Sequence, residues 1–123
     1  IYILDMFIMD MTTESHKVVA EISITPIGKN QMADEIQTSM SKEIASAVDA
    51  IKKLKEVKVT LTAMGTELEA NNIQDVLKSV EVAHQAVRDL GIKRIISTIR
   101  IDERFDKKET LEDGVNSVNE KLA

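Results

Sequence analysis

The sequence predicts an α+β domain built on a four-stranded antiparallel sheet, with two helices across one face and a further helix at the C-terminus. Three observations carry this. Apolar and polar residues alternate at period two over 17–27, 57–65 and 93–104. Apolar residues recur at helical spacing within 39–56 and 71–91. With a short strand at 66–70, these segments follow one another in the order β-α-β-β-α-β.

In "KVVAEISITPI", Val18, Ala20, Ile22 and Ile24 alternate with Val19, Glu21, Ser23 and Thr25, and Pro26 and Gly28 stop the strand. In "SMSKEIASAVDAIKKLKE", Met40, Ile44, Ala47, Val48, Ile51 and Leu54 form an apolar stripe, with Ser39 or Ser41 as the expected N-cap. "VKVTLTAMG" returns to period two, with Val57, Val59, Leu61 and Ala63 on one side and Lys58, Thr60, Thr62 and Met64 on the other. Gly65 permits a turn, after which "TELEA" runs back. The stripe Ile73, Val76, Leu77, Val80, His84, Val87 and Leu90 marks the second helix, capped by Asn71 or Asn72 and ended by Gly91. "KRIISTIRIDER" is the last strand, with Ile95, Ser97, Ile99 and Ile101 toward the core. Thr110 then caps a helix carrying Leu111, Val115, Val118 and Leu122, which Gly114 weakens by about 1 kcal/mol relative to alanine. The order is ferredoxin-like, a βαββαβ sandwich with an additional C-terminal helix.

The 123 residues suit one domain with one core, read here as 17–123 behind an N-terminal extension, 1–16. That extension is apolar but interrupted by Asp5 and Asp10, with no basic start, so neither a signal peptide nor a membrane span is expected. Met9 or Met11 would be natural starts. The absence of cysteine excludes disulfides and thiolate chemistry and fits a cytoplasmic setting. A net charge of −5 disfavours nucleic acid and anionic membrane as partners. Tyr2, Phe7 and Phe105 are the whole aromatic set, too few for a base-stacking sheet.

Two helices cover only one side of such a sheet. The other side collects Val19, Glu21, Ser23, Thr25, Lys58, Thr60, Thr62, Arg94, Ile96, Thr98 and Arg100. A solvated face with cross-strand ion pairs is one reading, each pair contributing only about 0–1 kcal/mol. The other is a polar pocket, closed by a second subunit, with Val19, Ile96 and Met64 as wall and Glu21, Thr60, Thr98 and Arg100 as directional groups.

His16 and His84 lie far apart, and no metal-ligand spacing such as H-x-x-x-H exists, so no metal or cofactor is expected. His84, on an apolar stripe, reads as a satisfied, part-buried histidine. "RIDERFDKK" mixes charges as a solvated strand end does, although Arg100 and Arg104 together would also suit a phosphate or carboxylate. Ser39, Ser41 and Thr66 have no nearby base to make them nucleophiles. No enzyme is indicated.

Three segments, "EISITPIG", "MGTELEA" and "AHQAVRDLGIKRIISTIRIDERFDKKETLEDGVNSV", together resemble the small thiamine-binding proteins of the UPF0045 family, related to the YkoF-like hydroxymethylpyrimidine-binding domains. The resemblance covers about 17 to 122. It implies a ferredoxin-like subunit, dimers paired into tetramers, and binding of thiamine or its pyrimidine portion without catalysis. It points to Glu21, Pro26, Gly28, Ser39, Ser41, Gly65, Thr66, Glu67, Glu69, His84, Arg94, Thr98, Arg100, Asp102 and Arg104 as positions of the family type. The ligand-binding set expected on this basis is Glu21, Ser23, Thr25, Ser39, Ser41, Thr60, Met64, Gly65, Thr66, Glu69, Thr98 and Arg100. Glu21, Ser23, Thr60 and Thr98 suit an aminopyrimidine, and Glu21 or Glu69 a cationic thiazolium. The loop from Lys29 to Thr38 is longer than expected of the family, and the residues before Lys17 are extra. A ligand-free regulatory or structural oligomer, and an anion-binding protein using Arg100 and Arg104, remain the alternatives.

Overall fold

The computed structural model describes residues 16–29 and 38–122. The expectations for the N-terminal extension, and for most of the loop between Lys29 and Thr38, lie outside these residues. The elements run β1 (Val18–Ile27), α1 (Ser41–Lys52), β2 (Lys58–Leu61), β3 (Thr66–Ala70), α2 (Ile73–Arg88), β4 (Arg94–Glu103) and α3 (Leu111–Asn119). The strands form one antiparallel sheet in the order β2-β3-β1-β4. The α+β split βαβ fold read from the sequence is the fold observed.

Alternation along β1 sends Val18, Ala20, Ile22 and Ile24 into the core, where they meet Leu68 and Ala70 of β3 and Ala47, Ile51, Val76, Ala83 and Val87 from the helices. Burying each of the larger side chains stabilises the fold by about 1.5–3 kcal/mol. β1 pairs with β4 along its whole length but with β3 only from Val18 to Ile22. Beyond Ile22 the sheet has a notch, which matters for the site.

Several elements differ from the sequence expectation in instructive ways. α1 has Met40 at its N-cap with no side-chain cap bond, because Ser39 stands one residue too early and Ser41 is already helical. Its buried side is Glu43, Ala47, Val48 and Ile51. Glu43 is only 2% exposed, and its Oε1 lies 2.5 Å from Lys29 Nζ. Neither Glu43 oxygen has a geometrically sound hydrogen bond among the described residues, so this contact is an ion pair rather than a directed bond. In α2, Asn72 caps as expected, its Oδ1 accepting from Asp75 N at 2.8 Å, and Gly91 takes φ 90° just past the end. The core side of α2 is Val76, Ser79, Ala83 and Val87, while Leu77 and Leu90 are exposed. Ser79 and Ala83 are fully buried there, with the Ser79 hydroxyl donating to Asp75 O at 2.8 Å.

β2 is shorter than expected, and Leu61 and Ala63 are exposed because the chain already turns at Thr62. Thr62 N donates to Gly65 O at 2.9 Å, and its Oγ1 both donates to that carbonyl and accepts from Gly65 N. On β4, Ile99 and Ile101 face the helix side but remain 36% and 40% exposed. β4 is an edge strand that α2 reaches at Ser97, where His84 Nε2 lies 2.8 Å from Ser97 Oγ. His84 is therefore satisfied and part-buried, as its place on the stripe suggested.

Candidate functional site

The open face is ordered by the cross-strand register, since residues directly opposite share a face. One row runs Thr60, Glu67, Glu21, Arg100 across all four strands. The next runs Lys58, Glu69, Val19, Asp102. On β1 and β4 alone, Ser23 faces Thr98, Thr25 faces Ile96, and Ile27 faces Arg94. The register places Glu21 opposite Arg100, one row from Thr98.

Glu21 and Glu67 stand directly opposite each other, an arrangement of like charges that destabilises a sheet unless something compensates. Arg100 stands opposite Glu21 on its other flank, with no salt bridge between them among the described residues. Together with Asp102 these residues and Leu111 line a cavity of about 280 Å³. It adjoins a second hollow of about 540 Å³ beneath α3, lined by Val19, Glu67, Asp102, Leu111, Val115 and Val118 among others. Three carboxylates against one guanidinium make this an acidic recess.

α3 is held over this recess by two devices. Thr110 Oγ1 accepts from Asp113 N at 3.1 Å while the Asp113 carboxylate accepts from Thr110 N at 3.0 Å, a reciprocal cap. Those bonds hold the Asp113 carboxyl below its ordinary value. Glu69 Oε1 accepts from Leu111 N at 2.9 Å, tying the helix start to β3. Glu69, one of the residues expected to bind ligand, thus meets the helix N-terminus with one of its oxygens, where a carboxylate is stabilising.

Gly65 packs against Glu21. A Cβ at Gly65 would stand 3.2 Å from Glu21 Cγ and 3.3 Å from Ile22 O, closer than side chains ordinarily tolerate. On its other side, Gly65 lines a third cavity of about 210 Å³ in the notch beyond Ile22. Ile22, Ser23, Ile24, Met40, Ile44, Ala47, Ile51, Met64 and Thr66 help form its walls. The Glu21–Gly65 contact is the junction between the acidic recess and this largely apolar notch.

The structure therefore brings Glu21, Thr60 and Arg100 into one row, with Ser23, Thr98 and Thr25 beside it and Gly65 beneath Glu21. Met64 and Thr66 belong to the notch instead. Thr66 pairs with Ile22 and is buried on the helix side, because it lies one residue out of phase with Glu67. Ser39 and Ser41 bond each other at 3.1 Å beside α1, and Ser41 lines a separate hollow with Asp49, Leu61 and Thr62, so neither joins the row. Arg104 is engaged within the chain: Nε donates to Asp106 Oδ1 at 2.9 Å and Nη1 to Glu109 Oε2 at 3.0 Å. These carboxylates, Asp106 foremost, raise the Arg104 pKa, and Arg104 in turn lowers that of Asp106. An anion site built from Arg100 and Arg104 loses one of its two cations. Glu67 and Asp102 were missing from the expected ligand set, although alternation in "TELEA" and "RIDER" already assigned them to the open face.

A sequence profile described as thiamine-binding protein matches residues 20–119. The chain belongs to the thiamine-binding protein family. This thiamine-binding family match takes in the whole Thr60–Glu67–Glu21–Arg100 row and ends with α3. A UPF0045 protein of Methanothermobacter thermautotrophicus is 38% identical over 105 residues, 85% of this chain and 99% of that protein. The UPF0045 protein YqgV of Bacillus subtilis is 33% identical over 104 residues, 85% and 96% of the two chains. The crystal structure of hypothetical protein MJ1052 from Methanocaldococcus jannaschii superposes with a TM-score of 0.71 at 38% identity, covering 85% of this chain and 97% of that one. Among the described residues of this family member, no helix is long and apolar enough to cross a membrane, and no three His, Cys, Asp or Glu side chains are placed to hold a metal.

Proposed function

We propose that this protein binds thiamine, or its hydroxymethylpyrimidine portion, without transforming it, and does so in the cytoplasm. The observation that carries the reading is the Glu67–Glu21–Arg100 row, set in a recess of a chain whose family is described as thiamine-binding. A thiazolium is cationic. A cation bound against the Glu21 and Glu67 carboxylates would offset their mutual repulsion, with Arg100 flanked by Glu21 across the ladder. Thr98 and Ser23 add hydroxyls that both donate and accept. Among the described residues no aromatic side chain lines the recess, and Val19 and Leu111 supply apolar contact there.

The recess is shallow in one subunit, and Val115 and Val118 of α3, with Leu122 just past its end, are exposed to solvent. We take a second copy of the chain to cover them and deepen the pocket, giving a homo-oligomer whose ligand sites lie at subunit interfaces. Titration calorimetry with thiamine at physiological salt tests the reading. Saturable heat at a fixed ratio per subunit is expected, and a flat titration with thiamine and with hydroxymethylpyrimidine would remove the ligand assignment.

A further inference from the structure

We infer that the notch beyond Ile22 is a second half of the site, and that it takes an aminopyrimidine ring by pairing it with the edge of β1 at Ile24. This rests on the thiamine reading above and extends it across Gly65. β3 pairs with β1 no further than Ile22↔Thr66, whereas β1 continues to Ile27 against β4. The Ile22 carbonyl oxygen lies 3.3 Å from the position a Cβ on Gly65 would take, so Ile22 turns its peptide groups toward the hairpin. In antiparallel pairing the N–H and C=O of one residue point to the same side, and the direction repeats at every second residue. The N–H and C=O of Ile24 therefore point the same way as those of Ile22, past the end of β3, and Ile24 lines the notch.

That donor and acceptor, side by side, match an aminopyrimidine, whose ring nitrogen accepts next to an exocyclic amine that donates. Among the described residues β3 offers these groups no partner, and strand edges attract such ligands because their backbone groups need hydrogen bonds. The surrounding walls suit a flat neutral ring: Ile44, Ala47 and Ile51 from α1, Met64 from the hairpin, and Thr66 from β3. At about 210 Å³ the cavity is smaller than the about 300–1,000 Å³ of drug-sized ligand sites, a size for one ring rather than two. Glu21, packed on Gly65 and lining the acidic recess, stands where a second, cationic ring would emerge.

The test uses hydroxymethylpyrimidine and thiamine as separate probes on the full chain. By nuclear magnetic resonance on the wild type, hydroxymethylpyrimidine is expected to shift the Ile24 amide and the methyls of Ile44 and Ala47. Ile44→Phe, which narrows the notch, should weaken both ligands at least tenfold, whereas Glu67→Gln should weaken thiamine and leave hydroxymethylpyrimidine within about twofold. Shifts at Ile24 with hydroxymethylpyrimidine, but thiamine affinity indifferent to Glu21→Gln and Glu67→Gln, would support the notch and overturn the recess. Thiamine binding that leaves Ile24 and Ile44 unshifted, and survives Ile44→Phe, would overturn the notch and keep the recess.

Discussion

Gly65 illustrates how one residue links fold to site. Its φ is not the reason for glycine; the reason is that Glu21 and the Ile22 carbonyl fill the space a side chain would take. Gly65→Ala is expected to destabilise the protein by about 1–3 kcal/mol, the ordinary range for forcing a methyl into a packed position. Urea unfolding measures this, and an unchanged midpoint would show that Glu21 swings aside at no cost. Alternation alone put Glu21, Thr60, Thr98 and Arg100 on one face, and the structure keeps them there. The same rule assigned Glu67, but its significance lay in a neighbour more than forty residues away, which periodicity does not reveal. The burial of Glu43 was invisible for a related reason. A glutamate in the first turn of an amphipathic helix reads as solvated unless Lys29, from another segment, is known to stand beside it.

At the scale of elements, α3 is the least self-sufficient. It has nine residues, includes Gly114, and has no buried side chain, so it relies on its cap and on Glu69. The Asp113 carboxyl is held below its ordinary value of 3.8 by the Thr110 backbone and hydroxyl. A carboxyl depressed on folding stabilises above its unfolded pKa, and the contribution vanishes as pH falls through the folded pKa. The start of α3 should therefore fray on acidification below about pH 4, before the sheet is affected. Resonances of Asp113 and Gly114 followed through an acid titration would show it, and loss of α3 and sheet signals together would argue against it. The periodicities of strands and helices are long and distinct, so the sequence carries their kind and order. Their limits depend on local contacts that periodicity does not carry: β2 ends early at a hydrogen-bonded turn, and α2 turns its small residues inward.

For the whole molecule, the open sheet face and the exposed apolar stripe of α3 point the same way. Val115 and Val118 are each 59% exposed in the single chain, and Phe105 and Leu122 more so. If a second copy covers them, Val118→Asp should shift the protein in sedimentation from an oligomer to a monomer while its far-ultraviolet spectrum stays unchanged. A wild type that is already monomeric at micromolar concentration would contradict this. Sequence composition could suggest an oligomer only through the mismatch between two sheet-covering helices and four strands. It could not say which side chains wait for a partner, since exposure is a property of the assembled fold.

The central claim is that the carboxylate pair on the open face recognises a cation, with Glu21 at the junction of recess and notch. The most direct test is the thiamine affinity of Glu21→Gln against wild type by titration calorimetry. Hydrogen bonds to charged groups contribute about 1.5–3 kcal/mol, so the account predicts a loss of roughly ten- to a hundredfold with stoichiometry preserved. An affinity within twofold of wild type would contradict it and place the ligand away from the open face.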